Sequence, residues 1–251
     1  QTKDATSVKE ILEYLNKIKK EHDEIVNSEK IIEELYNKEK AVLSKMEAAA
    51  IVLHDLRVSK SKALEEKILN ELAFVGLEKS RMEISVERSD TFNERGFDDV
   101  CFMISTNPGE PLMPLEKVLS GGELSRIMLA LKCVFAEKDE IPTLIFDEID
   151  TGISGAVAQR VGEKMYQLSC THQVLCITHL PQIAVLSDHH YFVMKRVIDN
   201  KTFTSIKVLS KEEKQLEISK MLAGDDVTEA TINNVKEMIS SAENKKEEIR
   251  I

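Results

Sequence analysis

The sequence predicts an α/β domain preceded by a long helical arm that pairs with another helix. The first 75 residues contain neither glycine nor proline, and apolar residues recur there at intervals of seven. Short apolar runs then alternate with helical patterns in the middle of the chain, as in α/β proteins. Aromatic residues make up only 5% of the chain and charged residues 31%, which disfavours an all-β fold.

The arm is predicted over residues 1–75. Two sets of apolar residues form its coiled-coil seam: Ile11, Ile18, Ile25, Ile32, Met46 and Leu53, with Val8, Leu15, Tyr36, Leu43, Ala50 and Leu64. Arg57, Lys60 and Lys67 interrupt the seam, so the supercoil is expected to loosen before Gly76. The partner helix is either another chain or a segment upstream of Gln1. A helix folded back onto the core is the alternative, which the lack of a turn-forming stretch disfavours.

Residues 76–251 are predicted to form a globular part that mixes strands and helices. The predicted strands are 82–88, 100–105, 143–146, 174–178, 191–197 and 203–209. The predicted helices are 122–137, 155–168, 211–222 and 228–240, followed by a charged tail. Continuous apolar runs at 143–146 and 174–178 are typical of buried parallel strands, and the last two strands form a hairpin around Asp199 and Asn200.

Composition excludes several function classes. The 34 basic and 44 acidic residues give a net charge of −10, so bulk positive charge does not hold this chain on nucleic acid. No apolar run approaches the roughly 20 residues that span a bilayer, so we expect no membrane partner. The four cysteines form no Cys-x-x-Cys pair, which is typical of reduced thiols in the cytoplasm. The chain begins with Gln, so we expect a fragment of a longer protein.

The strand predicted at 143–146 ends in two carboxylates, Asp147 and Glu148. Ligands of open α/β sheets bind beyond the carboxyl ends of the strands, so acids placed there meet a ligand rather than the core. Asp147 could hold Mg²⁺ directly or through water, and Glu148 could deprotonate an attacking water molecule. A strand that ends in Asp-Glu is common by chance, so this motif alone is weak.

A glycine-rich turn, Ser120-Gly121-Gly122-Glu123, precedes the helix before that strand. Two glycines allow close backbone approach, and the start of the helix attracts anions. The alternative is a capping box, with Ser120 as N-cap and Glu123 at the third helical position.

His179 follows the strand predicted at 174–178, where it could bond a terminal phosphate oxygen. A lone histidine is more often structural. Cys170, His172, Cys176 and His179 do not have zinc-finger spacing, so a metal cluster there is disfavoured.

The order and spacing of these motifs resemble ATP-binding-cassette ATPases. The Asp-Glu pair begins 27 residues after Ser120, and His179 follows Asp147 by 32, as the Walker B motif and switch histidine follow the signature motif. Residues 149–152 sit where that superfamily has its D-loop, which implies that Asp150 links two composite sites across a dimer. Transporter cassettes usually carry Gln and Pro where Glu123 and Ile149 stand, which favours the SMC-like chromosome-maintenance branch over a transporter subunit.

Within that branch the sequence resembles the RecN family of bacterial DNA double-strand-break repair ATPases from about Met82 onward. The stretches that carry the resemblance are 105–111, 119–131, 146–155, 178–184, 188–190 and 221–224. It implies an ABC-type ATPase head on an antiparallel coiled-coil arm, with ATP and Mg²⁺ as cofactors. It also implies that Asp147 (Mg²⁺), Glu148 (base) and His179 act on their own head's nucleotide. Four signature residues would contact the nucleotide of the opposite head: Ser120, Gly121, Gly122 and Glu123.

The phosphate-cradling motif of such ATPases is missing, since none of the nine glycines is followed by lysine. In the family this loop lies in the N-terminal half, so we expect this chain alone to bind ATP poorly and not to hydrolyse it. The implied partners are that N-terminal half, a second head, double-stranded DNA and recombination proteins, in the bacterial cytoplasm near the nucleoid. The alternative is a coiled-coil scaffold that bridges partners and has a non-hydrolysing head.

Overall fold

The computed structural model describes residues 7–117, 121–138, 140–198 and 201–250. They divide into two compact units, Gln1–Val58 with Val86–Asp99, and Ser59–Ser85 with Val100–Ile251. Helices and strands are mixed, and a parallel strand pair is present, so the predicted α/β class is confirmed. Among the described residues, no helix is long and apolar enough to cross a membrane. The division of the chain at residue 75 stays a prediction.

Two helices form the predicted arm, α1 (Val8–Val26) and α2 (Ser28–Phe74). The helical prediction is therefore confirmed, but the sequence did not predict the break between them at Asn27. Asn27 donates a side-chain hydrogen bond to the carbonyl of Asp23 at 2.7 Å, and Ser28 donates one to Ile25 at 2.7 Å. Such short polar side chains compete with the backbone for helical hydrogen bonds. The predicted seam residues of α1 are exposed, including Ile11 and Ile18.

In the first unit, the tip of a strand pair packs on α2. The strands are β1 (Arg81–Asn93) and β2 (Gly96–Ser105), both longer than predicted, and β2 also pairs with the short β3 (Met113–Pro114). The buried carboxylate of Asp98 accepts a hydrogen bond from Arg57 at 2.7 Å and contacts Nδ1 of His54 at 2.6 Å. Arg57 also donates to the carbonyl of Arg95 at 2.9 Å. The charge of Asp98 is therefore paired where water does not reach it.

The second unit is built around a parallel pair, β4 (Thr143–Phe146) and β5 (Gln173–Cys176). Helices α3 (Gly121–Phe135) and α4 (Gly155–Ser169) follow the predicted bounds within two residues. Side chains from both strands and both helices form one apolar cluster. Its buried members are Val75, Leu129, Leu144, Phe146, Ile149, Val161, Met165, Leu168 and Ile183.

The rest of this unit consists of an antiparallel hairpin and three helices. The hairpin strands β6 (Tyr191–Ile198) and β7 (Lys201–Val208) are confirmed, while their predicted turn residues Asp199 and Asn200 lie outside the described residues. The short α5 (Pro181–Ala184) was not predicted, and α6 (Lys211–Ala223) was. The predicted end of the last helix at residue 240, before a charged tail, is wrong, since α7 runs over Glu229–Arg250. Its late residue Lys246 is 2% exposed and ion-pairs with Asp188, so the last turns of α7 pack on the unit.

We expect acid to destabilise the protein in part through Asp98. Burial raises the pKa of Asp98, but hydrogen bonds from Arg57 and His54 outweigh it and leave the pKa below its ordinary value of 3.8. Because the pKa is lower in the folded state, this stabilisation is complete above the unfolded-state value and is lost as the pH falls through the folded-state value.

Urea unfolding of the native protein and of Asp98→Asn at about pH 7 and about pH 3 measures this contribution. At about pH 7 the native protein should have a larger free energy of unfolding than Asp98→Asn. This difference between the two proteins should shrink at about pH 3. A difference of the same size at both values would contradict the role of Asp98.

Candidate functional site

The carboxyl ends of β4 and β5 bring the predicted catalytic residues to one edge of the sheet. The two strands pair in parallel from Thr143 opposite Gln173 to Phe146 opposite Cys176. The ladder continues by one bond, from the N–H of Ile177 to the carbonyl of Phe146 at 3.0 Å. Parallel strands of equal length end side by side, so the residues that follow them share this edge. The expected meeting of a strand-end acid pair and a strand-end histidine is therefore present.

Asp147 and Glu148 are both exposed at this edge. The N–H of Glu148 donates to Asp147 Oδ1 at 2.9 Å, and the hydroxyl of Ser125 donates to the carbonyl of Asp147 at 2.8 Å. Exposed carboxylate oxygens at a strand end fit Mg²⁺, which takes one or two carboxylates and completes its shell with water and phosphate. Asp147 therefore has the chemistry of a Mg²⁺ ligand, and this role stays a prediction.

Glu148 has a strained backbone. Its φ is 56°, the single positive φ among the described non-glycine residues. A left-handed conformation at a residue with a side chain costs on the order of 1–3 kcal/mol, so it persists only where the surroundings enforce it. The next two residues, Ile149 and Asp150, are buried, while Glu148 stays exposed. The turn after β4 therefore presents Glu148 outward while its next residues are anchored in the core.

The start of α3 packs directly against this turn. A Cβ on Gly122 would lie 2.9 Å from the carbonyl oxygen of Thr151 and 3.2 Å from that of Glu148. A Cβ on Gly121 would meet the carboxylate of Glu148. Ser120 lies outside the described residues, so the capping-box alternative at 120–123 stays open. The carboxylate of Glu123 accepts a hydrogen bond from the hydroxyl of Thr106 at 3.0 Å.

The side chain of Asp150 is buried and forms its contacts within the same chain. Its side chain is 5% exposed, and its Oδ2 accepts hydrogen bonds from the hydroxyl of Thr178 at 2.6 Å and the N–H of His179 at 2.8 Å. His179 Nδ1 lies 3.0 Å from the same oxygen, and its ring is 74% exposed. The predicted link of Asp150 across a dimer stays a prediction, and the structure adds contacts within the chain.

The chain is similar in sequence to curated DNA repair proteins. It is 40% identical over 252 residues to the DNA repair protein RecN of Bacillus subtilis (strain 168), which covers 94% of this chain and 44% of that relative. It is 43% identical over 196 residues to the DNA repair protein RecN of Vibrio cholerae, which covers 78% of this chain and 35% of that relative. The chain belongs to the RecN family. It spans less than half the length of these curated relatives.

No family model matches the chain. Among solved structures it is similar to the Smc head domain with a coiled coil and joint derived from Pyrococcus yayanosii. That match has a TM-score of 0.48 and 18% identity, and it covers 83% of this chain and 36% of the other.

Arg126 also belongs to this site and was not predicted from the sequence. It is buried on α3, and its Nη1 donates to the carbonyl of Thr151 at 2.9 Å. Burial lowers the pKa of Arg126, while the charge of nearby Glu123 raises it. A guanidinium stays charged under these conditions. The signal in the sequence was its spacing, since Gly122, Arg126 and Ala130 follow one another at four-residue intervals on a buried helix face.

Cys170, His172, Cys176 and His179 are not arranged as ligands of one metal ion. Within the described residues, no group of three or more His, Cys, Asp or Glu side chains could hold a metal ion. Burial, together with the negative charges of nearby Asp150 and Asp147, raises the pKa of the Cys176 thiol to about 12. A protonated thiol is a poor metal ligand and a poor nucleophile. Cys176 is therefore a packing residue behind the site.

We expect Gly121→Ala and Gly122→Ala to have different effects, because their added methyl groups meet different atoms. At Gly122 the methyl group meets the backbone of Thr151 and Glu148, which cannot move without shifting the turn. This variant should lose about 1–3 kcal/mol of unfolding free energy, as overpacked sites do. At Gly121 it meets the end of the Glu148 side chain, which can rotate away.

Urea unfolding of both variants measures the difference, and Gly121→Ala serves as the matched control. Gly121→Ala should lie within about 0.5 kcal/mol of the native protein, as most substitutions outside the core do. Equal losses in the two variants would contradict the close packing of Gly122 on the turn.

Proposed function

We propose that this chain is part of a DNA repair ATPase of the RecN family, in which ATP joins two heads and hydrolysis releases them. This cycle would hold or tether DNA ends at double-strand breaks. The observation that carries the proposal is the edge where β4 and β5 end together. There, Asp147, Glu148 and His179 stand beside a turn that also contacts the start of α3.

Each side chain at this edge suits one task in attack of water on the terminal phosphate of ATP. Glu148 is exposed, so its carboxylate can orient the water and accept its proton. His179 is exposed on the neighbouring strand end and can bond a phosphate oxygen. Asp147 would hold Mg²⁺, which neutralises charge on the phosphates when it is bound. Phosphoryl transfer needs mainly such positioning and charge stabilisation.

The start of α3 is the part of this chain proposed to act on the opposite head. Gly121 and Gly122 open the helix, whose first N–H groups and positive dipole end attract phosphate. Ser120 and Glu123 complete the motif by resemblance. Gly122 is buried against the turn while Gly121 is exposed, which supports a motif with one face in the protein and one toward a ligand.

The exposed apolar surface of β4 and β5 supports a partner that completes the head. In the described part of the chain this sheet has two strands, and parallel sheets are normally covered on both faces. One face packs into the core, while Ile145 is 71% exposed and Ile177 is 62% exposed on the other. We propose that the N-terminal half of the protein, with its phosphate-binding loop, covers this face. The apolar seam residues of α1 are exposed as well. This favours the proposal that a second helix pairs with α1 in an antiparallel coiled coil.

Double-stranded DNA, recombination proteins, and a cytoplasmic place near the nucleoid enter the proposal through the family. The net charge of −10 supports a local DNA contact rather than one spread over this chain.

The test is ATP hydrolysis by this chain completed with its N-terminal half, with and without linear double-stranded DNA. Glu148→Gln should lower kcat by about 10²–10⁴-fold, because the proposed base is lost. It should also trap an ATP-bound dimer that light scattering detects. Glu140→Gln is the matched control, since this exposed glutamate precedes β4 at its opposite end. It should hydrolyse ATP like the native protein.

Turnover that DNA stimulates and Glu148→Gln abolishes would support the proposal. The absence of turnover above the Glu148→Gln level would overturn it in favour of the bridging scaffold. Rapid dissociation of the Glu148→Gln dimer in ATP would count against the dimer cycle.

A further inference from the structure

One oxygen of Asp150 has three polar contacts with the segment that carries His179. It accepts hydrogen bonds from the hydroxyl of Thr178 at 2.6 Å and the N–H of His179 at 2.8 Å, and Nδ1 of the same histidine lies 3.0 Å from it. The N–H of Leu180 donates to the Thr178 hydroxyl at 3.0 Å, so that hydroxyl uses its own proton for Asp150. The contacts therefore converge on Asp150 as an acceptor.

We propose that Asp150 is a positioning residue for His179 of the same chain, and that it holds the imidazole with its proton on Nδ1. A carboxylate oxygen repels the lone pair of a bare ring nitrogen at 3.0 Å and attracts a protonated one, so Asp150 favours the proton on Nδ1. The partner of one ring nitrogen determines the state of the other. Nε2 is then the nitrogen left for a ligand, on a ring that is 74% exposed.

Asp150 is suited to this task because its own position is fixed. Its neighbour Ile149 is fully buried, and the N–H of Ile153 donates to the carbonyl of Asp150 at 3.4 Å. On the other side of the turn, Arg126 donates to the carbonyl of Thr151. Because the backbone is held on both sides of Asp150, its carboxylate can keep the ring of His179 in one orientation better than water would.

The consequence for catalysis rests on the proposed function. A phosphate oxygen also only accepts hydrogen bonds, so His179 can bond one through Nε2 only if that nitrogen is protonated too. With Nδ1–H held by Asp150, the ring that meets the phosphate carries two protons and one positive charge. Asp150 then balances that charge from the opposite side of the ring.

Nitrogen NMR of the protein with ¹⁵N-labelled histidine tests the proposal without ATP. Above the titration range of the ring, a protonated and a bare ring nitrogen resonate far apart, so the tautomer of the neutral ring can be determined. His179→Gln assigns the signal among the six histidines. We expect the proton of His179 on Nδ1. A proton mainly on Nε2 in the native protein would overturn the proposal, and this measurement needs no variant at Asp150.

Asp150→Asn is the second arm, and Asp98→Asn is its matched control. Asp98 contacts Nδ1 of His54 at 2.6 Å, so its substitution should change the His54 signal and leave His179 as it is. Asp150→Asn should do the reverse and move the proton of His179 toward Nε2. An unchanged His179 signal in a folded Asp150→Asn protein would overturn the proposal.

Hydrolysis by the completed head then separates positioning from a general loss of structure. Asp150→Asn should lower kcat at unchanged KM, and the Asp150→Asn, His179→Gln double variant should be no slower than His179→Gln alone. Additive losses would overturn an action through His179. A native head without ATP hydrolysis would overturn the proposed function, while the NMR result would still decide the role of Asp150.

Discussion

The site depends on how the turn after β4 is held in place. This turn has to place Glu148 outward in a left-handed conformation, which is unfavourable for any residue with a side chain. Three interactions hold the turn in this conformation. They are the burial of Ile149, the hydrogen bond from Arg126 to Thr151, and the hydrogen bonds that Asp150 accepts from Thr178 and His179. Each contact comes from a different element, so α3, β4 and β5 all determine where the carboxylate of Glu148 stands.

The same turn connects two groups that the family resemblance assigns to different nucleotides. Gly122 and Arg126 contact its Thr151 side, and they belong to the helix proposed to act on the opposite head. His179 contacts its Asp150 side, and it is proposed to act on the chain's own nucleotide. Polar contacts between rigid elements transmit small displacements well because packed interiors are dense. If two heads meet as proposed, a shift of α3 would therefore reach both Glu148 and His179 through a few residues.

The sequence predicted the elements of this site better than its contacts. The apolar run 143–146 is followed by polar residues, and this pattern predicted β4 and its terminal acids. The break at Asn27 and the short α5 were missed because each depends on local hydrogen bonds that apolar periodicity does not report. The helical end of α7 was missed because Lys246 is charged yet buried, held by Asp188 and Glu243. Arg126 was missed for the same reason, since a buried charge breaks the rule that polar residues face water.

Among the described residues, two buried aspartates lie within 3.0 Å of Nδ1 of a histidine, and the two histidine rings differ in exposure. His54 beside Asp98 is 15% exposed, and Arg57 binds the second oxygen of that carboxylate, so the pair is closed by its neighbours. His179 beside Asp150 is 74% exposed, and its Nδ1 lies 3.0 Å from the carboxylate. The first arrangement fastens a strand tip to a helix. The second fixes a ring by one nitrogen and leaves the other free, which is what a histidine that meets a ligand requires.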